Sequence, residues 1–369
     1  MRLIQIHAGI HKTGSTAIQH TLARLAPGLA DHGVALPVFG KRGQLHHALA
    51  TLGSDPEGSA RAWAKLARRI RKIGAERIVL SSEHFVSTDP AALRAALAGL
   101  GEAELRIHFY VRPHIALFTS LYLQRVKAGV ATAGPLDLVE SYTTAPEFDY
   151  VPAIARYIEV FGEDAVFVRA FEPERFEGGS LIADLWAFLD LPPALLPTAV
   201  ENGDTIVNPT PTAEQAVLLL ALAGRLRAAM GWRGDQQAMR RALWTLLSEL
   251  RARLDGPATA YRLPIDLQHA IKDQTEPGRA TLAPRLDRPA SPAFLSEPVI
   301  APQPIAPIPF ATVSESLAAT VAMLRGRNLI GWAAATERFA ARLTSKPGAD
   351  GTPVLRLPAP RFHQMEGVA

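Results

Sequence analysis

Residues 4–22, IQIHAGIHKTGSTAIQHTL, combine a short strand pattern, a polar loop and the start of a helix pattern. Ile4 and Ile6 alternate as in a strand, whereas the apolar residues after the loop follow helical spacing, namely Ile18, Leu22, Leu25 and Leu29. A loop that opens a helix directs backbone N–H groups and the positive end of the helix dipole to one point, and Lys12 adds a full positive charge there. The sequence therefore predicts a phosphate-binding loop.

Further apolar segments have the length and composition of buried parallel strands, at residues 77–80, 105–111 and 165–168. Helical patterns separate them, at residues 90–100, 113–127 and 150–161. Strands that alternate with helices predict an α/β fold, with a doubly wound parallel sheet, flanking helices and a C-terminal helical extension.

The predicted organisation is an α/β domain over residues 1–256, a linker over 257–312, a helical segment over 313–344 and a tail over 345–369. The linker is predicted because this segment is rich in proline and keeps neither the strand period nor the helix period. The helical segment has apolar residues on one stripe, interrupted by Gly326 and Gly331.

Charge and composition narrow the function classes. The formal net charge of +4 fits an anionic ligand but is too small to indicate nucleic acid binding. The chain has no cysteine, which excludes disulfide scaffolds, thiolate nucleophiles and cysteine-ligated metals. The first strand leaves no room for a secretory signal, and the longest apolar run, residues 216–223, is shorter than the ~20 residues that span a bilayer. We therefore expect a cytoplasmic protein without a transmembrane segment.

The order of residues in the loop differs from a Walker A motif, GxxxxGK[ST], in which lysine follows the second glycine. Here Lys12 precedes Gly14. The run HKTGSTAIQ resembles the 5′-phosphosulfate-binding loop of the PAPS-dependent sulfotransferases, where PAPS is 3′-phosphoadenosine 5′-phosphosulfate. This resemblance implies that the sheet is of the P-loop-kinase-like type.

A second match is HFYVRPHIALFTSLYLQRVKAG. In sulfotransferases an arginine at the end of a central strand and a serine eight residues later bind the 3′-phosphate, and Arg112 and Ser120 have that placement. The segments SSEHF and FDYVPAIARYIEVFGEDAVFVRAFE extend the resemblance to residues 1 to about 210. Two departures are Pro113 after the arginine and the lack of an RKGxxG loop, for which we expect Arg169 to substitute.

The resemblance implies transfer of a sulfuryl group from PAPS to a hydroxyl or amine of an acceptor, a carbohydrate or related metabolite, by in-line displacement at sulfur. Lys12 is expected to be catalytic, because it neutralises the bridging oxygen and the leaving phosphate. The expected nucleotide-binding residues are His11, Lys12, Thr13, Gly14, Ser15, Thr16, Arg112 and Ser120. Ser15 and Thr16 could also cap the helix that follows, and such capping is compatible with phosphate binding. No metal is expected to be required.

A general base must take the proton of the acceptor as sulfur is attacked. Glu83 is our first choice, because it follows a central strand and carbohydrate sulfotransferases often use glutamate. His47 and His46 are the next candidates, followed by His11, and His84 stands beside Glu83. Each has a structural alternative: Glu83 as a cap or an arginine partner, and the histidines as core or surface residues.

Two other functions stay open from the sequence. A P-loop kinase that uses ATP and magnesium has a similar strand, loop and helix, although the position of the lysine argues against it. A non-catalytic nucleotide-binding protein, with its C-terminal segments recruiting a partner, is the second. The sequence leaves the acceptor and the oligomeric state undetermined.

Overall fold

The computed structural model describes residues 2–37, 45–131, 134–135, 149–203, 210–231, 235–254, 259–349 and 351–356. Contacts divide the chain into two compact units. The sheet unit comprises Met1–Leu117, Tyr142–Pro209 and Ile271–Pro298, and the helical unit comprises Phe118–Ser141, Thr210–Ala270 and Val299–Ala369.

The sheet unit is built on five parallel strands, which are β1 (Arg2–His7), β2 (Val34–Ala35), β3 (Arg77–Ser81), β4 (Ala103–Val111) and β5 (Val166–Ala170). Their order is β2-β3-β1-β4-β5, so β1 is central. Ile6 of β1 is in register with Leu80 of β3 and Ile107 of β4. These three side chains are fully buried, as expected for a parallel sheet with both faces covered. The predicted α/β class is confirmed.

The helices, in chain order, are α1 (Ser15–Asp31), α2 (His47–Ala50), α3 (Pro56–Ile73), α4 (Pro90–Ala98), α5 (His114–Lys127), α6 (Tyr150–Phe161), α7 (Leu181–Phe188), α8 (Leu196–Gly203), α9 (Ala213–Met230), α10 (Gln236–Arg253), α11 (Ile265–Leu282), α12 (Pro292–Ser296), α13 (Phe310–Gly326) and α14 (Ile330–Ala340). Local sequence starts several of them: Asp55 caps α3 and Asp89 caps α4, each followed by proline. Thr212 and Gln215 form a capping box at α9.

The loop after β1 is held in position because the helix that follows it, α1, packs in the core of the sheet unit. The apolar stripe of α1 is buried, and Ile18, Leu22 and Leu29 pack in one cluster with Trp186 of α7. The first turn of α1 is thereby held at the carboxyl edge of the sheet. Because all five strands are parallel, the segments after β1, β3 and β4 emerge at this same edge, where ligands bind in α/β proteins.

The helical unit contains α9, α10, α13 and α14, and its packing buries a leucine-rich core. Within this unit Arg227 of α9 donates to the backbone carbonyl of Gly129. A short antiparallel pair, β6 (Ser345–Pro347) and β7 (Pro353–Leu355), lies in the segment that the sequence predicts as a tail. Residues 357–369 of that predicted tail lie outside the described residues.

The described structure differs from the predicted linker over residues 257–312. This segment contains α11 and α12, and its residues 271–298 belong to the sheet unit. The sequence does not predict α11 because its buried positions include Thr275 and Arg279 besides Ile271. The helix therefore has no continuous apolar stripe that the sequence pattern could reveal. The predicted boundary at residue 256 therefore does not coincide with a boundary between units.

The C-terminal helical segment consists of two helices. Residues 313–344 do not form one helix: α13 ends at Gly326 and α14 begins at Ile330. Asn328 between them has a left-handed φ of 58°, which a continuous helix does not allow. Among the described residues, none of the helices combines the length and apolarity that a membrane span needs.

Candidate functional site

The chain after β1 stays against β4 before it turns. The N–H of Ile10 donates to the carbonyl of Tyr110 over 2.9 Å. The loop then turns through Lys12 and Gly14, whose φ angles of 66° and 77° are left-handed. The hydroxyl of Thr13 donates to the carbonyl of Ile10 over 2.7 Å and closes this turn. Alternation of left-handed and ordinary backbone turns N–H groups toward a common concave side, as in anion-binding nests.

The first turn of α1 has no side-chain cap within the part of the chain that the structure describes. Gly14 is the N-cap, and it has no side chain to accept from the first N–H groups. Ser15 and Thr16 are the first two helical residues rather than caps, and the first turn contains no acidic residue. The capping role that the sequence allows for them is therefore not adopted, and the helix dipole is left for an external anion.

Position 14 requires a glycine, both because of its backbone conformation and because of the side chain packed against it. Its φ of 77° is strained for a residue with a side chain, and an added Cβ would lie 2.2 Å from Cδ2 of Leu181. Gly9 is similarly crowded, because a Cβ there would lie 3.0 Å from Cα of Glu83. The two glycines thus allow the loop to approach α7 and the segment after β3.

Lys12 is half-buried beside this loop, near charges of both signs. Burial lowers the pKa of its amine, the Arg112 guanidinium lowers it further, and Glu83 opposes this shift. Two adjacent cations, partly removed from water, create a strongly positive position at the carboxyl edge. Such a position favours an anionic group.

Arg112 directly follows β4 and points back to the loop. One Nη atom donates to the backbone carbonyl of Lys12 over 2.8 Å, and the guanidinium lies 5.6 Å from the ring centre of Phe171. Burial lowers the pKa of Arg112 to about 10, with Glu297 and Tyr150 acting in the opposite direction. Within the described residues, Arg112 Nε has no hydrogen-bond partner, so this buried donor is available to a ligand.

Glu83 lies after β3, at the start of a short 3₁₀ helix (Glu83–Ser87). Its Oε2 accepts from the side-chain amide of Gln19 over 2.5 Å, and its Oε1 lies 3.7 Å from Nε2 of His47. Burial favours the neutral acid, but the Glu83 backbone N–H, His47, His11 and Gln19 together lower the pKa of the carboxyl below its usual range. Glu83 is therefore a carboxylate at neutral pH.

The predicted histidines separate into two groups. The ring nitrogens of His46 both contact backbone, since Nδ1 accepts from the N–H of Ser81 over 2.9 Å and Nε2 donates to the carbonyl of Pro37 over 2.9 Å. Its ring is fully buried, so His46 is structural and the prediction that it is a runner-up base is wrong. His47, by contrast, is half-buried, and burial lowers the pKa of its ring.

Three imidazoles surround Glu83. The ring centres of His47 and His84 are 4.5 Å apart, and those of His11 and His84 are 5.1 Å apart. His47, Glu83 and His84 each offer one ligand atom, and these atoms all lie within 4.8 Å of one another. The sequence predicts no metal site, whereas this group has the donor types and the spacing that can hold an ion.

Ser120 lies on α5 and is half-buried. The division between the two units passes through α5 after Leu117, and Ser120 belongs to the helical unit. Its pairing with Arg112 at one phosphate remains a prediction.

Arg169, the expected additional 3′-phosphate ligand, has other partners. Its guanidinium forms ion pairs with Asp184, at 3.3 Å, and with Asp287, and it lies 4.1 Å from the ring centre of Phe188. With two carboxylates against it, Arg169 contributes no free positive charge to the site. This expectation is therefore wrong.

A second charged cluster was not predicted. Glu297 accepts from the N–H of Ala116 in the first turn of α5 over 3.1 Å, and its Oε2 lies 3.1 Å from an Nη atom of Arg279. The same Nη atom lies 3.0 Å from Nδ1 of His114. The Glu297 carboxylate thus lies at the N-terminus of α5, next to Arg112. Its negative charge raises the pKa of the Arg112 guanidinium and so partly opposes the effect of burial. The only sequence signal was the presence of charged residues in a proline-rich segment.

Comparisons with known proteins identify no relatives: the chain matches no protein-family model, no curated protein and no solved structure.

Proposed function

We propose that this chain is a PAPS-dependent sulfotransferase. One observation carries the proposal: Arg112 donates to the backbone carbonyl of Lys12, which lies 100 residues earlier. The loop after β1 and the Arg112 end of the second motif, both of which resemble sulfotransferase phosphate sites, are thereby adjacent within the sheet unit. The position of β1 at the sheet centre, in the order β2-β3-β1-β4-β5, fits the P-loop-kinase-like type.

The nucleotide is bound from two sides in this proposal. The amides of the first turn of α1, together with the loop residues His11, Thr13, Gly14, Ser15 and Thr16, hold the 5′-phosphate. Arg112, with its unpartnered Nε, binds the 3′-phosphate. That Ser120 is a second ligand of this phosphate is implied by the resemblance alone. Lys12 lies at the 5′ side, where its charge stabilises the phosphate that leaves.

The transfer is a displacement at sulfur. The acceptor oxygen or nitrogen forms a bond to sulfur while the bond from sulfur to the 5′-phosphate oxygen breaks, and adenosine 3′,5′-bisphosphate leaves. Glu83 takes the acceptor proton, because its carboxylate is ionised and lies at the same edge as the loop. His47, 3.7 Å from Glu83, supports or replaces it in this role. The step can be written without a metal ion.

The acceptor is a hydroxyl or amine of a carbohydrate or related metabolite, and the reaction takes place in the cytoplasm. A transfer assay with ³⁵S-labelled PAPS and a panel of such acceptors tests this function. We expect labelled product with the wild-type chain and none with Lys12→Ala. Lys72→Ala is the matched control, because Lys72 is an exposed lysine in the last turn of α3.

Two results would contradict the proposal. Magnesium-dependent consumption of ATP that PAPS does not inhibit would instead indicate a kinase. Binding of adenosine 3′,5′-bisphosphate without transfer to any acceptor would indicate a nucleotide-binding protein without this activity.

A further inference from the structure

Side chains from two segments meet beside the phosphate loop. His47 is the first residue of α2, and Glu83 and His84 follow β3. His47 Nε2 lies 3.7 Å from Glu83 Oε1, and the ligand atoms of all three residues lie within 4.8 Å of one another. The cluster lies at the carboxyl edge of the sheet, where ligands bind in α/β proteins.

Two of the three side chains are held by neighbours through the atoms that face away from the cluster. Ser82 Oγ lies 3.1 Å from His47 Nδ1, and Gln19 donates to Glu83 Oε2 over 2.5 Å. These contacts fix the imidazole and the carboxylate while His47 Nε2 and Glu83 Oε1 remain directed at each other. Metal ligands are typically oriented by such outer hydrogen bonds.

The donor set indicates the type of ion. Two imidazole nitrogens and one carboxylate oxygen suit Zn²⁺, whereas Mg²⁺ and Ca²⁺ prefer oxygen ligands throughout. Ligand atoms around a tetrahedral zinc ion are roughly 3.4 Å apart, close to the distance between His47 and Glu83. The side chain of His84 is exposed and can close the remaining gap by rotation.

We propose that His47, Glu83 and His84 form a binding site for one Zn²⁺ ion, with a coordination position open to a substrate oxygen. Three protein ligands and one open position are the arrangement of catalytic zinc sites. When the ion is bound, Glu83 is a ligand rather than the free base of the metal-free step. A hydroxyl at the open position would then lose its proton to solvent more readily, because the ion would stabilise the alkoxide. This role in sulfuryl transfer rests on the proposed function, whereas binding of the ion does not.

Calorimetric titration with ZnCl₂ tests the site. The full chain is purified, treated with a chelator and dialysed, and the zinc ligands are then identified by X-ray absorption at the zinc edge. We expect one ion per chain, bound through nitrogen and oxygen ligands at about 2.0–2.2 Å. The double variant His47→Ala/His84→Ala should bind at least 100-fold more weakly.

The matched control is His32→Ala/His269→Ala, which removes two exposed histidines outside the cluster and should leave the zinc affinity unchanged. Circular dichroism and thermal unfolding verify that each variant is folded. Absence of stoichiometric zinc binding, or equal affinity in the His47/His84 variant, would overturn the proposal. If His84→Ala alone is the folded variant, a loss of at least tenfold is expected, and an unchanged affinity would likewise overturn it.

Titration of the same samples with adenosine 3′,5′-bisphosphate separates this inference from the proposed function. Nucleotide binding is assigned to the loop, to Arg112 and to Ser120, none of which is a zinc ligand. If the chain binds the nucleotide but no zinc, only the zinc proposal is contradicted. If it binds zinc but no nucleotide, only the proposed function is contradicted.

Discussion

An Nη atom of Arg112 donates a hydrogen bond to the backbone carbonyl of Lys12 over 2.8 Å. The contact joins the segment after β4 to the loop after β1, and it fixes the carbonyl of a residue whose φ is left-handed. Both side chains are cationic, so their proximity has an electrostatic cost in the absence of an anion. A doubly phosphorylated nucleotide is the kind of ligand that would offset this cost.

The first prediction concerns Gly14. Gly14→Ala should raise the dissociation constant for adenosine 3′,5′-bisphosphate at least tenfold and lower the melting temperature, because the loop must move away from Leu181 and leave its left-handed conformation. Calorimetry and thermal unfolding measure the two effects. Gly53→Ala is the control, since a Cβ at Gly53 meets nothing within 4 Å. Equal behaviour of the two variants would show that the loop does not bind the nucleotide.

The second prediction concerns Glu83. Glu83→Gln keeps the size of the side chain but removes the carboxylate that accepts the proton. Turnover in the ³⁵S transfer assay should fall by about 10²- to 10⁴-fold, while affinity for adenosine 3′,5′-bisphosphate should stay within about threefold of wild type. Glu57→Gln, on the exposed first turn of α3, should leave both unchanged. An active Glu83→Gln enzyme would move the role of base to His47.

The third prediction concerns the buried ion pair of Arg279 and Glu297. Arg279→Met leaves the Glu297 carboxylate buried without its cation and should cost about 3–5 kcal/mol of unfolding free energy. Arg285→Met, which breaks a solvent-exposed pair with Glu163, should cost less than about 1 kcal/mol. Urea unfolding measures both values. Equal costs would mean that the buried pair contributes no more than a surface pair.

The fourth prediction concerns the dependence of stability on pH. His108 is buried against Phe167 and Phe188, and burial lowers the pKa of its ring to about 3. Below pH about 6.5 this ring is protonated in the unfolded chain but stays neutral in the folded chain. The free energy of unfolding therefore decreases as the pH is lowered from about 6.5 to the folded pKa of about 3. The slope is about 1.4 kcal/mol per pH unit for this group.

Replacement of this ring by an apolar one removes its share of the slope. His108→Phe should therefore unfold at a lower pH than wild type, as followed by circular dichroism, whereas His32→Phe on the surface should not shift the midpoint. An unchanged acid midpoint in His108→Phe would show that His108 does not contribute to acid unfolding.

Features with a local pattern were predictable from the sequence. The strand, loop and α1 follow from the change of apolar period across His11 to Thr16, and the parallel sheet follows from short apolar strands between helices. Parallel pairing then implies that Lys12, Glu83 and Arg112 lie at one edge, because each follows a strand. Capping residues such as Asp55 and Asp89 mark helix starts for the same local reason.

Features that depend on contacts between distant segments were not predictable. The choice between His46 and His47 depends on which ring faces backbone, and adjacent residues in a sequence give no sign of this. Arg279 and Glu297 become a pair only because α11 and the segment after α12 pack in the sheet unit. Both side chains are buried although they are charged, and a search for periodic apolar residues does not detect buried charged residues.

The most direct test of the two-sided nucleotide site compares two ligands by calorimetry, adenosine 3′,5′-bisphosphate and adenosine 5′-monophosphate, which lacks the 3′-phosphate. A charge-assisted hydrogen bond contributes about 1.5–3 kcal/mol, so wild type should prefer the bisphosphate by about 10- to 100-fold. Arg112→Ala should reduce that preference at least tenfold, and Arg68→Ala, on an exposed face of α3, should retain it. A wild-type chain that binds both nucleotides equally, or a preference that survives in Arg112→Ala, would contradict the account.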